Sequence, residues 1–474
     1  MSKKSNVLKN MLHVAFSQGI SLAASIVTSI FLPKILNVND YGLFRIFTLY
    51  LGYTALLHFG FVDGILLRFA GNNYESLSKE EMRTYSRFYI TMQLIVGGIV
   101  CISGIFVANS DYRFILWMLG IDLIAINLTS YYQFLSQATK RFREYALKNL
   151  TLSVFKTIFV LALLLCHTGF HWQISYRFYL LFLVIADLLM LLWYLVIYRK
   201  ITFGKKLPLS VQRKPIVDLF RTGIVLTVAY QVSHLIHMLD RQFVSMLYSI
   251  ETYAMYAFPY NLVTLISTMV SSIAIVMFPM LKKSSKEVLE KNYNTILSGV
   301  CSIIGAALVL YYPLVAFIGW FLPEYIPSVT YLKIVLPCIL YTGAISVVMF
   351  TFVKILNENF KFFKNSLLIL ALGFVTNYIA QVVFHTPQAI SFASLFTMAA
   401  WFVLEGHHLK KILNLSYLKE FLYVLAITAG FLLIVNVISE LFLGMGCYLI
   451  VFATITLLFY PKLPKTALSF LRKK

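Results

Sequence analysis

The chain has 474 residues, 60% of them hydrophobic and only 12% charged, with a mean hydropathy of +0.80 and a formal net charge of +21. A soluble protein carries about 25% charged residues, and a chain of this size still needs a polar surface. The composition therefore excludes a water-soluble globular protein and implies a bilayer as solvent. The charge does not indicate a nucleic-acid partner, because Lys and Arg fall in short clusters between apolar runs and no extended basic domain is present.

Fourteen helices are predicted, near 11–32, 43–67, 88–108, 114–137, 149–170, 176–198, 216–240, 253–280, 293–319, 328–352, 362–384, 388–404, 418–439 and 441–460. Most hold about 20 apolar residues, enough to cross ~30 Å of hydrocarbon. The first follows Lys3, Lys4 and Lys9 and is as long as a full span, which predicts an uncleaved helix rather than a signal peptide. The eighth and ninth run long; the twelfth is short. If the N-terminus is cytoplasmic, the segments "KRFREYALK", "RKITFGKKLPLSVQRK", "LKKSSKEVLEK", "HHLKK" and "LRKK" are cytoplasmic too. Cytoplasmic segments then hold 33 of the 40 Lys and Arg residues. Lys34, Arg45, Arg113, Arg177, Arg241 and Lys333 fall outside, and Lys156 lies within a helix. This asymmetry follows the positive-inside rule and predicts both termini in the cytoplasm. The outer connections are short, which argues against an external catalytic domain. The five cysteines are scattered singly, so neither a metal site nor a disulfide framework is expected.

The segments "NVNDYGLFRI" (37–46) and "SIETYAMYAF" (249–258) lie 212 residues apart, each between an outer loop and the next helix. This predicts two parallel six-helix lobes, 1–198 and 216–404, joined by the basic linker 199–215. Residues 405–474 add two helices and a basic tail. Parallel repeats of this kind are common in transporters, with substrate bound at the lobe interface.

Three helices carry polar stripes. On the seventh, Gly223, Thr227, Tyr230, His234, His237 and Arg241 fall within about 80° of one another. The eighth carries Tyr253, Tyr256, Tyr260, Thr264, Ser267 and Ser271, and the first Asn10, His13, Ser17, Ser21 and Thr28. Such residues can simply hydrogen-bond between helices or sit at the membrane interface. Three long stripes in one chain favour a hydrated cavity. The seventh is basic and aromatic, with Asp240 off to one side, and suits an anionic group such as phosphate. Asp122, Lys156 and Asp187 lie well inside spans, and Asp63 and Arg68 near the inner end of the second helix. Lys156 is about seven residues deep and Asp187 about eleven, a difference of ~6 Å that a Lys stem can bridge. Lys156 and Asp187 are thus an expected pair, with Asp122 as the competing partner. The pair either locks the first lobe or helps carry a coupling ion. Pro259, Pro313 and Pro337 each permit a bend.

The opening "NVLKNMLHVAFSQGISLAASIVTSIFLPKILNVNDYGLFRIF", with Leu32-Pro33 and Tyr41-Gly42, resembles bacterial polysaccharide flippases of the multidrug/oligosaccharidyl-lipid/polysaccharide exporter superfamily. "DRQFVSMLYSIETYAMYAFPYNLVTLI" and "LPEYIPSVTYLKIVLP" are similar to their helix seven–eight and nine–ten junctions. The resemblance implies an all-α polytopic membrane protein with a central cavity between its two lobes. It implies translocation of undecaprenyl-diphosphate-linked oligosaccharides across the bacterial cytoplasmic membrane for capsule, O-antigen or related polymers. It implies no enzymatic step and no cofactor, with coupling to a proton or sodium gradient as a candidate mechanism. Its candidate partners are the lipid-linked oligosaccharide, membrane lipids, and a polysaccharide polymerase with its chain-length machinery. The lipid II flippases of the superfamily carry arginine midway along their first helix; this sequence does not. The candidate cavity residues are Arg45, Tyr230, His234, His237, Arg241, Tyr256 and Tyr260. Asp122, Lys156 and Asp187 are the candidate coupling charges. A multidrug/cation antiporter of the same fold and a membrane-embedded polymerase remain as alternatives.

Overall fold

The computed structural model describes residues 3–282, 285–416 and 418–461, with side chains described outside 3–17, 271–276 and 278–280. Every regular element among them is helical. The helices are α1 (Lys3–Ile35), α2 (Val38–Leu51), α3 (Phe61–Phe69), α4 (Lys79–Ile105), α5 (Ser110–Ala138), α6 (Phe142–Phe170), α7 (Tyr176–Ile197), α8 (Arg199–Thr202), α9 (Leu209–Leu247), α10 (Ile250–Leu281), α11 (Lys286–Ala307), α12 (Tyr311–Phe321), α13 (Val329–Val335), α14 (Cys338–Gly343), α15 (Phe350–Ile355), α16 (Asn359–Phe384), α17 (Pro387–Leu413), α18 (Leu418–Val437) and α19 (Leu441–Phe459). Twelve helical segments among the described residues are long and apolar enough to cross a membrane. The bent pair Val38–His58 and Phe61–Phe69 makes a thirteenth. The chain is an all-α, multi-pass membrane protein.

Each of the fourteen predicted helices has an observed counterpart, and four differ in form. The second is broken rather than continuous. Phe59 and Gly60 have φ of 51° and 87°, and α3 leaves α2 and its following turn at 56°. The ninth is interrupted by a 3-10 turn at Leu308–Leu310 just before Pro313. The tenth is assembled from α13, α14, a π-helical turn at Ala344–Met349 and α15. Pro337 stands between α13 and α14, where its missing amide interrupts the ladder. The twelfth is not short: α17 continues nine residues past 404, to Leu413. Glu405 and His408, which read as the start of a loop, are buried side chains within it. The tail after Pro461 lies outside the described residues.

The chain divides into two compact units, Met1–His234 and Leu235–Lys474, with the boundary inside α9. In the first, Phe61, Tyr85, Tyr89, Tyr131, Tyr132, Tyr194 and Tyr198 form much of a buried aromatic core. Lipid cannot satisfy buried hydroxyls, and most of these tyrosines find partners within the protein. Ser86 pairs with Tyr131 at 3.0 Å, Thr202 with Tyr132 at 2.9 Å and Ser136 with Tyr198 at 2.6 Å. Arg83 and Arg87 of α4 donate to the carbonyls of Lys200, Lys205 and Gly204, tying down the basic connection after α8. The first part of α9 lies directly on α3, where Gly60, Gly64 and Gly223 leave no space for side chains. In the second unit, α10 packs against α13, α14 and α15, and α16 lies along α17.

The two similar segments share a local device. Asn37 accepts from the amide of Asp40 at 2.8 Å, and Ser249 from that of Thr252 at 3.2 Å. Each thus caps its helix, and Tyr41 and Tyr253 follow, both buried. All three pairs keep the 212-residue offset.

Candidate functional site

The turn between α9 and α10 is tight, so the last part of α9 runs back beside the start of α10. Asp240 of α9 thereby meets Tyr256 and Tyr260, one helical turn apart on α10. Its carboxylate is buried and accepts hydrogen bonds from Tyr256 Oη at 2.9 Å and from Tyr260 Oη. The Arg241 backbone amide adds a third at 2.7 Å. Arg241 sends its guanidinium elsewhere. It donates to the His237 carbonyl at 2.7 Å and lies 5.0 Å from the Tyr260 ring centroid. The His237 ring in turn sits 5.7 Å from that of Trp401 on α17. Cation, imidazole and phenol are thus collected around one buried carboxylate. The arginine keeps part of its donor set for a further acceptor, since an Arg carries five N–H groups.

The predicted stripe on α9 does not stay a uniform polar face. Gly223 and Thr227 are packed inside the first unit, and Thr227 donates to Asp63. Tyr230 and His234 are exposed, while His237 and Arg241 are partly buried in the second unit. Tyr256 is fully buried with its hydroxyl committed to Asp240, so its ring presents no open face for stacking on a sugar. Tyr253 is buried too, and Tyr260 is partly exposed. Arg45, on α2, lies 5.9 Å from the Tyr41 ring centroid. Asn10, His13, Ser17 and Ser271 lie outside the described side chains; Ser21 pairs with Ser153 of α6 at 2.8 Å.

The embedded charges are brought together as depth counting anticipates. Lys156 Nζ lies 3.3 Å from Asp187 Oδ2. Asp122 is buried close to both, and neither of its oxygens has a hydrogen-bond partner. Arg68 pairs with Glu81 at 3.0 Å. Asp63 carries a second neighbour, His58, whose Nε2 is 3.9 Å away.

Two features were not singled out from sequence. Asp240 is a hub rather than a bystander. The signal available was its place opposite an i, i+4 tyrosine pair across a tight turn. The other is a buried cluster around Glu405 on α17, where the i, i+3 pair Glu405 and His408 was readable only if the helix was known to continue.

Twelve or more membrane-crossing helices among the described residues, with charges buried and paired between them, define a polytopic helical membrane protein. Residues 7–285 match the model of the polysaccharide biosynthesis protein family, and the chain belongs to that family. No curated relative matches the sequence. Among solved structures, the chain is similar to lipid II flippase MurJ in an inward closed conformation, with a TM-score of 0.68 at 13% identity over 96% of this chain and 99% of that one. It is also similar to an inward-facing multidrug resistance MATE family transporter of the MOP superfamily, with a TM-score of 0.55 at 14% identity over 85% and 99%. A MATE transporter from Vibrio cholerae gives 0.50 at 12% identity over 86% and 98%. At these identities the likeness is one of fold.

Proposed function

We propose that this protein is a flippase that carries undecaprenyl-diphosphate-linked oligosaccharide repeat units across the bacterial cytoplasmic membrane by alternating access, for capsule, O-antigen or similar surface polymers. Membership of the polysaccharide biosynthesis family is the observation that carries the reading. The flippase fold and the Arg241 group support it. A guanidinium backed by a phenol ring and a histidine suits a diphosphate, because Arg offers paired donors to phosphate oxygens. Residues 1–198 and 216–404 act as the two lobes in this reading. Arg45, Tyr230, His234, His237, Arg241 and Tyr260 contact the headgroup, and Tyr256 braces Asp240. Asp122, Lys156 and Asp187 take part in coupling to a proton or sodium gradient. A polysaccharide polymerase and chain-length machinery are the partners that receive the product. The buried carboxylate of Asp240 is the observation that favours the second reading, a cation antiporter.

The test is polymer export in a null strain, with membrane abundance measured alongside. Arg241→Ala is expected to lower export about tenfold or more at normal abundance, as loss of a charge-assisted contact worth ~1.5–3 kcal/mol would. Arg241→Lys should restore part of it, and His234→Ala with His237→Ala should lower it less. Normal export in all three variants, with drug resistance lost instead, would favour the antiporter.

The same reading places both termini and the 199–215 connection in the cytoplasm. In a variant lacking the five native cysteines, a cysteine at Lys205 should resist an impermeant thiol reagent in intact cells. Cysteines at Asn109 or Glu324, both exposed, should react. The reverse pattern would invert the orientation.

A further inference from the structure

Glu405 of α17 is fully buried, yet neither carboxylate oxygen has a hydrogen-bond partner. Asn365 of α16, Trp401 and His408 neighbour it, and each has a buried ring or amide nitrogen without a hydrogen-bond partner. His408 Nδ1 is 3.5 Å from Glu405 Oε2, and its Nε2 is 3.4 Å from Glu358 Oε2. One imidazole thus stands between two carboxylates, with a different nitrogen facing each. The exposures descend in order, with side chains at 38% for Glu358, 8% for His408 and 0% for Glu405. Glu358 sits in the connection between α15 and α16, among Lys354, Lys361 and Lys364. That is the side the charge asymmetry assigns to the cytoplasm.

A buried carboxylate surrounded by donors that all stop short leaves a costly anion under-solvated. A group that alternates between charged and neutral forms needs donors for the anion without tight commitment to it. Of the titratable groups on the helices packed against α17, Tyr341 of α14 donates to Thr428 and Lys333 of α13 to Asn436. The Tyr293 ring of α11 meets that of Phe352. His237 of α9 approaches the far side of the cluster through Trp401.

We propose that Glu358, His408 and Glu405 form a proton relay between water at the basic face of the second unit and the buried carboxylate of Glu405. Protonated Glu358 gives its proton to His408 Nε2 while Nδ1–H passes its proton to the Glu405 carboxylate. Glu358 is left anionic, Glu405 neutral, and the ring neutral in its other tautomer, so charge is conserved at each step. Both gaps exceed a hydrogen bond by a few tenths of an ångström, so a small ring movement opens and closes the path. Trp401 stands between Glu405 and His237, which links the proton's arrival to the Arg241 group. The relay rests on the transport reading for its use, but not for its existence.

The test uses full-length protein in lipid nanodiscs with Trp401 as the sole tryptophan, the other four replaced by Phe. Its emission should show a protonation transition that Glu405→Gln removes and Glu405→Asp keeps. After a pH jump, His408→Phe and the half-exposed Glu358→Gln should slow that transition at least tenfold while leaving its end points in place. A transition that survives Glu405→Gln, or one lost only in His237→Gln, would overturn the proposal. So would an unchanged rate in both His408→Phe and Glu358→Gln. No substrate is present in this measurement. A failed export assay would therefore sink the flippase reading and leave the relay standing, and the reverse holds as well.

Discussion

Protein carrying Gly223→Val should be nearly absent from the membrane, while Gly98→Ala accumulates normally. A Cβ at Gly223 would stand 1.9 Å from the Gly60 carbonyl oxygen and 2.4 Å from the Gly64 amide nitrogen. The reciprocal positions are as tight. A Cβ at Gly60 would meet the Ile224 amide nitrogen at 2.2 Å, and one at Gly64 the Leu219 carbonyl oxygen at 2.2 Å. These obstacles are backbone, so no rotamer change relieves them; two helices must separate. Overpacking in a core costs about 1–3 kcal/mol even where side chains give way, and backbone collisions belong in the tail above 4 kcal/mol. A loss of only about 1–2 kcal/mol already changes abundance several-fold. Gly60 adds strain of its own, because φ of 87° disfavours any side chain. Gly98, with open space around it, is the control. Fluorescence-detected size-exclusion chromatography reads the result. A monodisperse Gly223→Val protein at wild-type abundance would mean that α3 and α9 do not touch in this way.

The second large effect concerns Lys156. Removing it strands Asp187 beside Asp122, two carboxylates in a low-dielectric setting. Breaking an embedded pair typically costs about 3–5 kcal/mol, mostly from the charge left behind. Lys156→Ala should therefore reduce folded protein sharply. Adding Asp187→Asn should recover much of it, because the residual cost is then a neutral amide in place of an unpaired charge. Lys156→Ala with Asp122→Asn should recover less, since Asp187 Oδ2 is the atom 3.3 Å from the ammonium. Equal recovery with either carboxylate neutralised would show the lysine to be shared. Pairing across α6 and α7 also explains how a lysine is tolerated among the apolar residues of α6. Its stem runs along hydrocarbon while its head reaches a carboxylate.

The spans, their order and the Lys156–Asp187 pair were legible along the chain for one reason. Hydrophobicity over about 20 residues and a rise of ~1.5 Å per residue are local properties, and depth follows from counting. The twelfth helix marks where that logic ends. Glu405 and His408 have the polarity of a loop edge when their neighbours are unknown. Packing against α16 buries them and lets α17 continue to Leu413. The break at Phe59–Gly60 was hidden likewise. A glycine in an apolar run is compatible with a straight helix, and the bend is selected by the close approach of Gly223 and Leu219 on a helix some 160 residues away. The α9 stripe was a correct list of polar residues but one wheel with several fates. Thr227 goes to Asp63, His237 to Trp401, and Asp240 to two tyrosines. Periodicity orders side chains around a helix axis. Which neighbour each one meets depends on interhelical distance and rotation, and those arise only when small residues, caps and turns have brought distant helices into contact.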